Sequence, residues 1–277
     1  MAKENNKNYF YTAKALLISA IIAAVVCVIN ILIYKYYLVG ITQPADFIFF
    51  ATTFTTAAVT VYAIIAGFTI LIAFTRYQEL NNIISEEINC LGDVLDFTKY
   101  IQGQEYIKEQ IIDNVRKYGV SVANDEWPNM VSGQPNQKTS IYLENIMDSI
   151  NNINLANNKN SVVFELFVNR IKDLTTFRGN RLSKAKEPFP QLLVLILYVI
   201  SIVFIVSVFY TLTPNLLFQS IFLTSVAFVT SLVIQVVEDL GNPYKPGIWH
   251  VSKEDYENIK TSIVTQAAIA KKLEKIA

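Results

Sequence analysis

Four long runs of apolar residues stand out along the chain, separated by stretches that are rich in polar and charged residues. Each run is long enough to cross the hydrocarbon core of a membrane as a helix of about 20 residues. The four runs are Ala15–Val39, Phe47–Thr75, Phe189–Leu212 and Leu216–Val237. Short links that contain the turn residues Gly40, Pro44 and Pro214 join the runs in pairs. The pattern predicts an all-α membrane protein with four transmembrane helices in two hairpins and a helical bundle outside the membrane.

Lysine and arginine are scarce in the two short links and common in the other flanks of the apolar runs. Lys35 is the one basic residue at the links. Because cytoplasmic segments carry the excess of Lys and Arg, both termini and the long middle segment are expected in the cytoplasm. The expected parts are a cytoplasmic N-terminus (1–14), a first hairpin (15–75), a cytoplasmic helical domain (76–188), a second hairpin (189–237) and a cytoplasmic C-terminal segment (238–277). An amphipathic helix over Lys253–Ile276 is expected in the last part.

The middle segment shows the apolar spacing of helices. Residues at i, i+4, i+7 and i+11 place Ile84, Ile88, Leu91 and Leu95 on one helix face. Further helices are predicted over Tyr106–Val122, Ser140–Ile150 and Ser161–Lys186. Loops are predicted over 121–139, which holds Pro128 and Gly133, and over the Asn-rich stretch 151–160. We expect a helical bundle that is continuous with the second and third membrane helices.

Composition agrees with a membrane protein and offers little for catalysis. The chain is 52% hydrophobic and 17% charged, against about 25% charged in soluble domains. The formal net charge of zero implies no bulk attraction to nucleic acid. His250 is the single histidine, and Cys27 and Cys90 lack the spacing of metal ligands. We therefore predict no enzyme, no metal site and no cofactor, and we interpret the carboxylates of the middle segment as mostly solvated.

One membrane run carries a pattern of its own. Positions at helical spacing form a stripe that changes from hydroxyls to bulky apolar groups: Thr53, Thr56, Thr60, Ile64, Phe68 and Leu71. Gly67 stands beside Phe68 and would allow another helix to approach closely. The stripe fits a pore wall with a polar entrance and a hydrophobic constriction. Ordinary helix packing in a membrane uses the same residue types, so the pattern leaves both interpretations open.

No charged residue lies in the middle of any run. A proton-driven motor normally needs a carboxylate within the membrane, and the polar residues offered here are Asn30, Gln219, Gln235 and hydroxyls. This argues against a stator-type proton channel.

The segment AIIAGFTILIAFTRY resembles the second membrane helix of bestrophins, the pentameric anion channels. Gly67, Phe68, Arg76 and Tyr77 match the spacing of that helix. The resemblance implies neck positions at Thr60, Ile64 and Phe68. The segment EDLGNPYKPG, through Asn242 and Pro243, is similar to the bestrophin segment that follows the fourth helix.

Nearly the whole chain is similar to the bestrophin-like family of bacterial four-helix membrane proteins. The residues that carry this likeness lie in NDEWPNM, RIKDLTTFRGNRL and EDLGNPYKPG: Trp127, Pro128, Arg170, Arg178, Arg181, Asn242 and Pro243. The resemblance implies a homo-oligomer in the lipid bilayer of a bacterial inner membrane, a pentamer in the bestrophins, that conducts small anions such as chloride. The stretch KPGIWHVSKED lacks the acidic run of calcium-responsive members, which argues against a calcium site.

Two questions stay open at this level. The arginines Arg170, Arg178 and Arg181 could attract anions, pair with Glu86 and Glu87, or serve only the positive-inside bias. The chain could also be a non-conducting membrane scaffold or sensor that acts through its cytoplasmic helical domain.

Overall fold

The computed structural model describes residues 2–38, 44–211 and 215–259, and every regular element in those ranges is helical. The seven α-helices are α1 (Ala2–Ile33), α2 (Ala45–Thr98), α3 (Glu105–Ser121), α4 (Gln137–Asn151), α5 (Asn158–Lys186), α6 (Gln191–Tyr210) and α7 (Leu216–Leu240). Four of them, α1, α2, α6 and α7, are long and apolar enough to cross a membrane. The prediction of an all-α membrane protein with four spanning helices is confirmed. Gly40, Pro214 and the predicted helix beyond residue 259 lie outside the described ranges.

The helix α2 runs without a break for 54 residues, so the second membrane run continues into the middle segment as the sequence indicates. The matching expectation for the third membrane helix is wrong. The helix α5 ends at Lys186 and α6 begins at Gln191. Pro188 and Pro190 fall between them; proline lacks the helical N–H donor and disfavours helical geometry in the residue before it.

The chain separates into two compact units, each built from two stretches of sequence. The membrane unit contains Met1–Tyr77 and Phe189–His250, and the extramembrane unit contains Gln78–Pro188 and Val251–Ala277. In the membrane unit, α7 contacts both α1 and α6. Its apolar core includes Tyr62 of α2, Phe204 of α6 and Leu223 of α7.

Polar side chains join α1 to α7 within the apolar part of the membrane unit. The Gln235 amide donates to Ser19 Oγ at 2.6 Å, and Ser19 Oγ donates to Ser231 Oγ at 3.1 Å. Further along the helices, Asn30 Nδ2 donates to Ser220 Oγ at 3.0 Å. Hydrogen bonds between membrane helices stabilise their association by about 0.6–2 kcal/mol each. We call these contacts the polar seam.

In the extramembrane unit, the predicted face of α2 packs inward. Ile84, Leu91 and Leu95 are buried, and Ile88 is half-buried. The prediction of a loop over 121–139 is wrong in its first half. A π-helical turn covers Val122–Glu126 and a 3-10 turn covers Trp127–Ser132, before α4 begins at Gln137.

The Asn-rich stretch forms the predicted turn. It also forms hydrogen bonds with the turn between α2 and α3. Asn160 Oδ1 accepts from the backbone N–H of Gln102 at 3.0 Å, and its amide nitrogen donates to the Gln102 carbonyl at 3.3 Å. Gln104 Oε1 accepts from the backbone N–H of Asn154 at 2.7 Å. These side-chain amides join the α2–α3 connection to the α4–α5 connection.

Candidate functional site

The membrane part of α2 has one buried face and one exposed face. The buried face carries mostly small residues: Ala51, Ala58, Tyr62, Ala66 and Ala73. Every member of the predicted stripe lies on the exposed face: Thr53, Thr56, Thr60, Ile64, Phe68 and Leu71. Ile64 is 54% exposed and Phe68 is 62% exposed. Among the described residues of the membrane unit, the stripe is therefore at the surface.

The buried face is held against α6 by specific contacts. The rings of Tyr62 and Phe204 stack with their centroids 5.2 Å apart. Thr55 Oγ1 donates to the carbonyl of Ser207 at 2.9 Å. The ring stack and the hydrogen bond fix the rotation of α2 about its own axis. That rotation directs the stripe outward.

The threonine hydroxyls of the stripe donate hydrogen bonds to backbone carbonyls of α2 itself. Thr53 donates to Phe49 at 2.8 Å, Thr56 donates to Thr52 at 2.9 Å and Thr60 donates to Thr56 at 2.8 Å, each to a backbone carbonyl four residues earlier. The oxygen lone pairs remain available to accept from water. This part of the stripe is polar and uncharged.

Gly67 has no close neighbour from another element among the described residues. A Cβ atom built there would have nothing within 4 Å. The close helix approach that the sequence suggests for Gly67 therefore does not occur within the described residues.

The arginines of α5 form ion pairs. Arg181 is fully buried, with Nε 2.7 Å from Glu87 Oε2 and Nη2 2.7 Å from Glu126 Oε1. Arg178 Nη2 lies 2.6 Å from Glu126 Oε2. We call Glu87, Glu126, Arg178 and Arg181 the Arg–Glu cluster. Its two positive and two negative charges balance, so it offers little attraction to a free anion.

The third arginine and the neighbouring glutamate lie nearer the surface. Arg170 Nε is 2.8 Å from Asp93 Oδ2, and both side chains are partly exposed. Glu86 is exposed. Of the acidic partners considered from the sequence, Glu87 is the one that binds an arginine of α5.

Sequence reasoning missed Glu126 and interpreted it as solvated, although it is fully buried. Its position in NDEWPNM beside Trp127 was visible in the sequence, but that position alone does not predict burial. Glu126 is the last residue of the π-helical turn, and a buried carboxylate requires a cationic partner.

The charges of the Arg–Glu cluster shift the pKa of Glu126 and of Arg181. Burial alone would raise the pKa of Glu126, but the hydrogen bond from Arg178 and the charges of Arg181 and Arg178 outweigh it and lower that pKa. Burial alone would lower the pKa of Arg181, but the charge and hydrogen bond of Glu87, together with Tyr256 and Tyr118, outweigh it, and the pKa lies well above the usual range. Burial, with the nearby charge of Glu87, raises the pKa of Tyr118, whose hydroxyl donates to Glu87 at 2.7 Å.

Part of the C-terminal segment covers this cluster. Tyr256 is fully buried, and Arg181 Cζ lies 5.7 Å from its ring centroid. Trp127 packs against the same ring at 5.9 Å. Gly119 makes room for the segment, since a Cβ there would lie 3.1 Å from the Tyr256 carbonyl. Ser252 Oγ accepts from the backbone N–H of Glu254 at 3.1 Å, at the start of the helical residues 254–259.

The Asn242–Pro243 segment folds as a tight loop after α7. Asp239 Oδ2 accepts from the backbone N–H groups of Ile248 at 2.8 Å and Trp249 at 2.9 Å. A Cβ on Gly247 would overlap the Asp239 carboxylate, so the loop requires glycine there. Asn242 Nδ2 donates to the Glu238 carbonyl at 3.1 Å. The Asp239 carboxylate therefore binds backbone N–H groups of its own chain. Among the described residues, no cluster of three metal-ligating side chains occurs.

Comparison with known proteins assigns this arrangement to a family. A family model described as "Bestrophin-like domain" matches residues 20–256. A bacterial bestrophin homologue from Klebsiella pneumoniae has a similar structure, with TM-score 0.67 and 15% identity over 90% of this chain and 95% of that one. A single-residue variant of a bestrophin homologue from the same organism gives TM-score 0.71 at 15% identity over 91% and 98% of the two chains.

A third solved structure, a crystal structure of a membrane protein, gives TM-score 0.72 at 14% identity, over 91% of this chain and 97% of that one. At such identities the structural likeness shows the fold alone. No curated protein matches the sequence.

Proposed function

We propose, given that this chain belongs to the bestrophin-like family, that it assembles with copies of itself into a membrane ion channel whose pore is lined by α2. The observation that carries the proposal is the outward position of the stripe from Thr53 to Leu71. Contacts with α6 occupy the opposite face of α2 and leave the stripe for a surface outside the single chain.

The two halves of the stripe suit different parts of a pore. The threonines would line a wet outer entrance, because their oxygens can accept hydrogen bonds from water. Ile64 and Phe68 would form the neck, where a ring of apolar side chains can stop ions by excluding water. Gly67 beside the neck would allow the α2 helices of neighbouring copies to approach.

The Arg–Glu cluster has a structural part in this proposal. Its charges neutralise one another inside the extramembrane unit, so it does not serve as an anion trap. The distribution of Lys and Arg supports a cytoplasmic location for this unit and for both termini. The likeness to a bacterial bestrophin homologue supports the inner membrane of a bacterium.

The resemblance to bestrophins supports small anions as the permeant ions and a pentamer as the assembly. Both expectations come from the family. The stripe itself carries no charged side chain from Thr53 to Leu71, so it favours neither sign of ion.

Recording from the purified full-length protein in planar bilayers tests the proposal. Phe68→Ala and Ile64→Ala each remove bulk from the neck, so we expect the mean current to rise by roughly threefold or more as the barrier to water and ions falls. Phe222→Ala and Ile221→Ala are matched controls, because these α7 side chains are 55% and 58% exposed and lie off α2. They should leave the current unchanged.

Silence of the wild type and of both neck variants would refute the channel. An equal response to the α2 and α7 substitutions would refute α2 as the pore wall.

A further inference from the structure

We propose that a pocket between α3 and α4 binds the phosphate group of a small anionic ligand. The pocket lies wholly within the extramembrane unit, so its ligand can be tested independently of the channel proposed above. Three basic side chains, a tyrosine, a serine and one carboxylate line it: Arg116, Lys117, Lys138, Tyr142, Ser121 and Asp125.

The two helices that form the pocket are joined near both ends. Asn114 Nδ2 of α3 donates to Ser149 Oγ of α4 at 3.0 Å, and the hydroxyls of Ser121 and Thr139 share a hydrogen bond at 2.8 Å. An early residue of α3 thus meets a late residue of α4, and the reverse holds at the other end, so the helices are antiparallel. The walls of the pocket are therefore fixed by side chains that do not line its opening.

Positive charge exceeds negative charge around the pocket. Arg116 Nη2 lies 2.5 Å from Asp113 Oδ1, and Lys117 Nζ lies 2.6 Å from Asp113 Oδ2, so these two cations share one carboxylate. Lys138 Nζ lies 3.0 Å from Asp125 Oδ2. Three cations and two carboxylates leave one positive charge without compensation among these five side chains.

Hydrogen-bond donors are also in excess. A guanidinium has five N–H donors, and among the described residues the Arg116 side chain donates to Asp113 alone. The side chains of Arg116, Lys117 and Lys138 are 41%, 44% and 59% exposed. Exposed ion pairs contribute little to stability, so these cations can turn to a ligand at low cost.

The same cations already stabilise negative charge on the protein. Hydrogen bonds from Lys117 and then Arg116 lower the pKa of Asp113. A hydrogen bond from Lys138 is the largest cause of the lowered pKa of Asp125. An anion that enters the pocket meets the same positive potential.

Size and donor geometry favour phosphate over other anions. The pocket holds about 100 Å³, whereas pockets for drug-sized ligands hold about 300–1,000 Å³. It therefore suits one compact group, with the rest of the ligand outside. The planar fork of Arg116 matches two oxygens of a phosphate, and Lys117 and Lys138 act as point charges beside it. Chloride offers no second oxygen and carries less charge.

Isothermal titration of the full-length protein in a non-ionic detergent with inorganic phosphate tests the pocket. We expect one phosphate per chain. Arg116→Gln and Lys138→Gln should each weaken binding by roughly threefold or more, because each removes a charge-assisted hydrogen bond. Lys99→Gln is the matched control, since Lys99 forms an exposed ion pair with Asp96 at 2.6 Å and does not line the pocket. It should leave the affinity unchanged.

Asp113→Asn should change the affinity in the opposite direction. It releases Arg116 and Lys117 from their shared carboxylate, so phosphate should bind roughly threefold tighter. Asp96→Asn is the control for the loss of an exposed negative charge and should have no effect. A variant that failed to fold would bind more weakly, so tighter binding separates the site from damage to the fold.

A parallel titration with glycerol 3-phosphate, in competition with inorganic phosphate, identifies the source of the phosphate group. Equal affinities support free phosphate as the ligand, and a higher affinity for glycerol 3-phosphate supports a phosphomonoester. Absence of phosphate binding to the wild type overturns the site. Equal losses in Lys138→Gln and Lys99→Gln also overturn it, because phosphate would then bind to surface charge in general. Either failure leaves the channel standing.

Discussion

Arg181 shows how strongly one residue can determine the extramembrane unit. Its guanidinium is fully buried and pairs with Glu87 and Glu126 on two other segments of the chain. Taking charges out of water is costly, and the pairs offset that cost only while every partner is present. The cluster therefore fixes where α2, α5 and the turn before Trp127 meet, and removing one carboxylate leaves an uncompensated buried charge.

Glu87→Gln should destabilise the protein by about 3–5 kcal/mol, because Arg181 then loses one of its two charged partners. Denaturant unfolding of the detergent-solubilised protein, followed by near-UV circular dichroism, measures this loss. Glu86→Gln is the adjacent control, since its exposed side chain has no ion pair among the described residues. Equal unfolding midpoints for the two variants would contradict the structural importance of the Arg–Glu cluster.

Glu126 predicts a dependence of stability on pH. Its pKa in the folded protein lies below the ordinary value of 4.5, so the unfolded chain takes up the proton first as the pH falls. The stabilisation is therefore fully present well above pH 4.5 and is lost as the pH falls through the folded-state pKa.

Thermal unfolding of the wild type between pH 7 and pH 3 should show this acid loss. Glu126→Gln should be less stable at pH 7 and should lose less on acidification. Parallel curves for the two proteins would show that Glu126 does not contribute.

The residues of the cluster also show what the sequence can predict. The pairing of arginines on α5 with glutamates on α2 was among the expectations, since both lie on segments predicted to form one bundle. Glu126 could not be found in this way, because its burial depends on a π-helical turn and a 3-10 turn whose periods differ from 3.6 residues. Charge type was readable from the sequence, whereas burial was not.

At the scale of elements, long helices were predictable and their joints were not. The runs that became α6 and α7 have apolar character along their whole length, and α2 keeps an apolar face well beyond the membrane. The break before α6 depends on two prolines at one joint, and the loop after α7 depends on one carboxylate that accepts two backbone N–H groups. Local contacts of that kind leave no periodic pattern.

Gly247→Ala should destabilise the membrane unit by about 1–3 kcal/mol, because its Cβ would overlap the carboxylate of Asp239 and force the loop apart. Thermal unfolding in detergent measures the loss. Gly179→Ala on α5 is the control, because a Cβ there meets nothing within 4 Å, and alanine in an exposed helix stabilises by roughly 0.5–1 kcal/mol. The same decrease in both variants would contradict the role given to the loop.

For the whole molecule, the sequence shows four membrane helices but not how they pair. Neighbours in sequence predict two hairpins, yet α1 makes its polar contacts with α7, the last of the four. The sequence shows hydroxyl and amide side chains in the apolar runs but not which of them form hydrogen bonds with each other. Their partners could be assigned only from the three-dimensional structure. Both units likewise combine stretches that are distant in sequence.

The polar seam has a consequence for how the protein is made. Ser19 and Ser231 are 212 residues apart, so a ribosome that adds about 5–20 residues per second needs about 10–40 s to deliver the second after the first. During that interval α1 stands in the bilayer with Ser19 and Asn30 lacking their final partners. Insertion of the last helix is thus the event that anchors the first, and a nascent chain arrested before α7 would carry a loosely held α1 available to other chains.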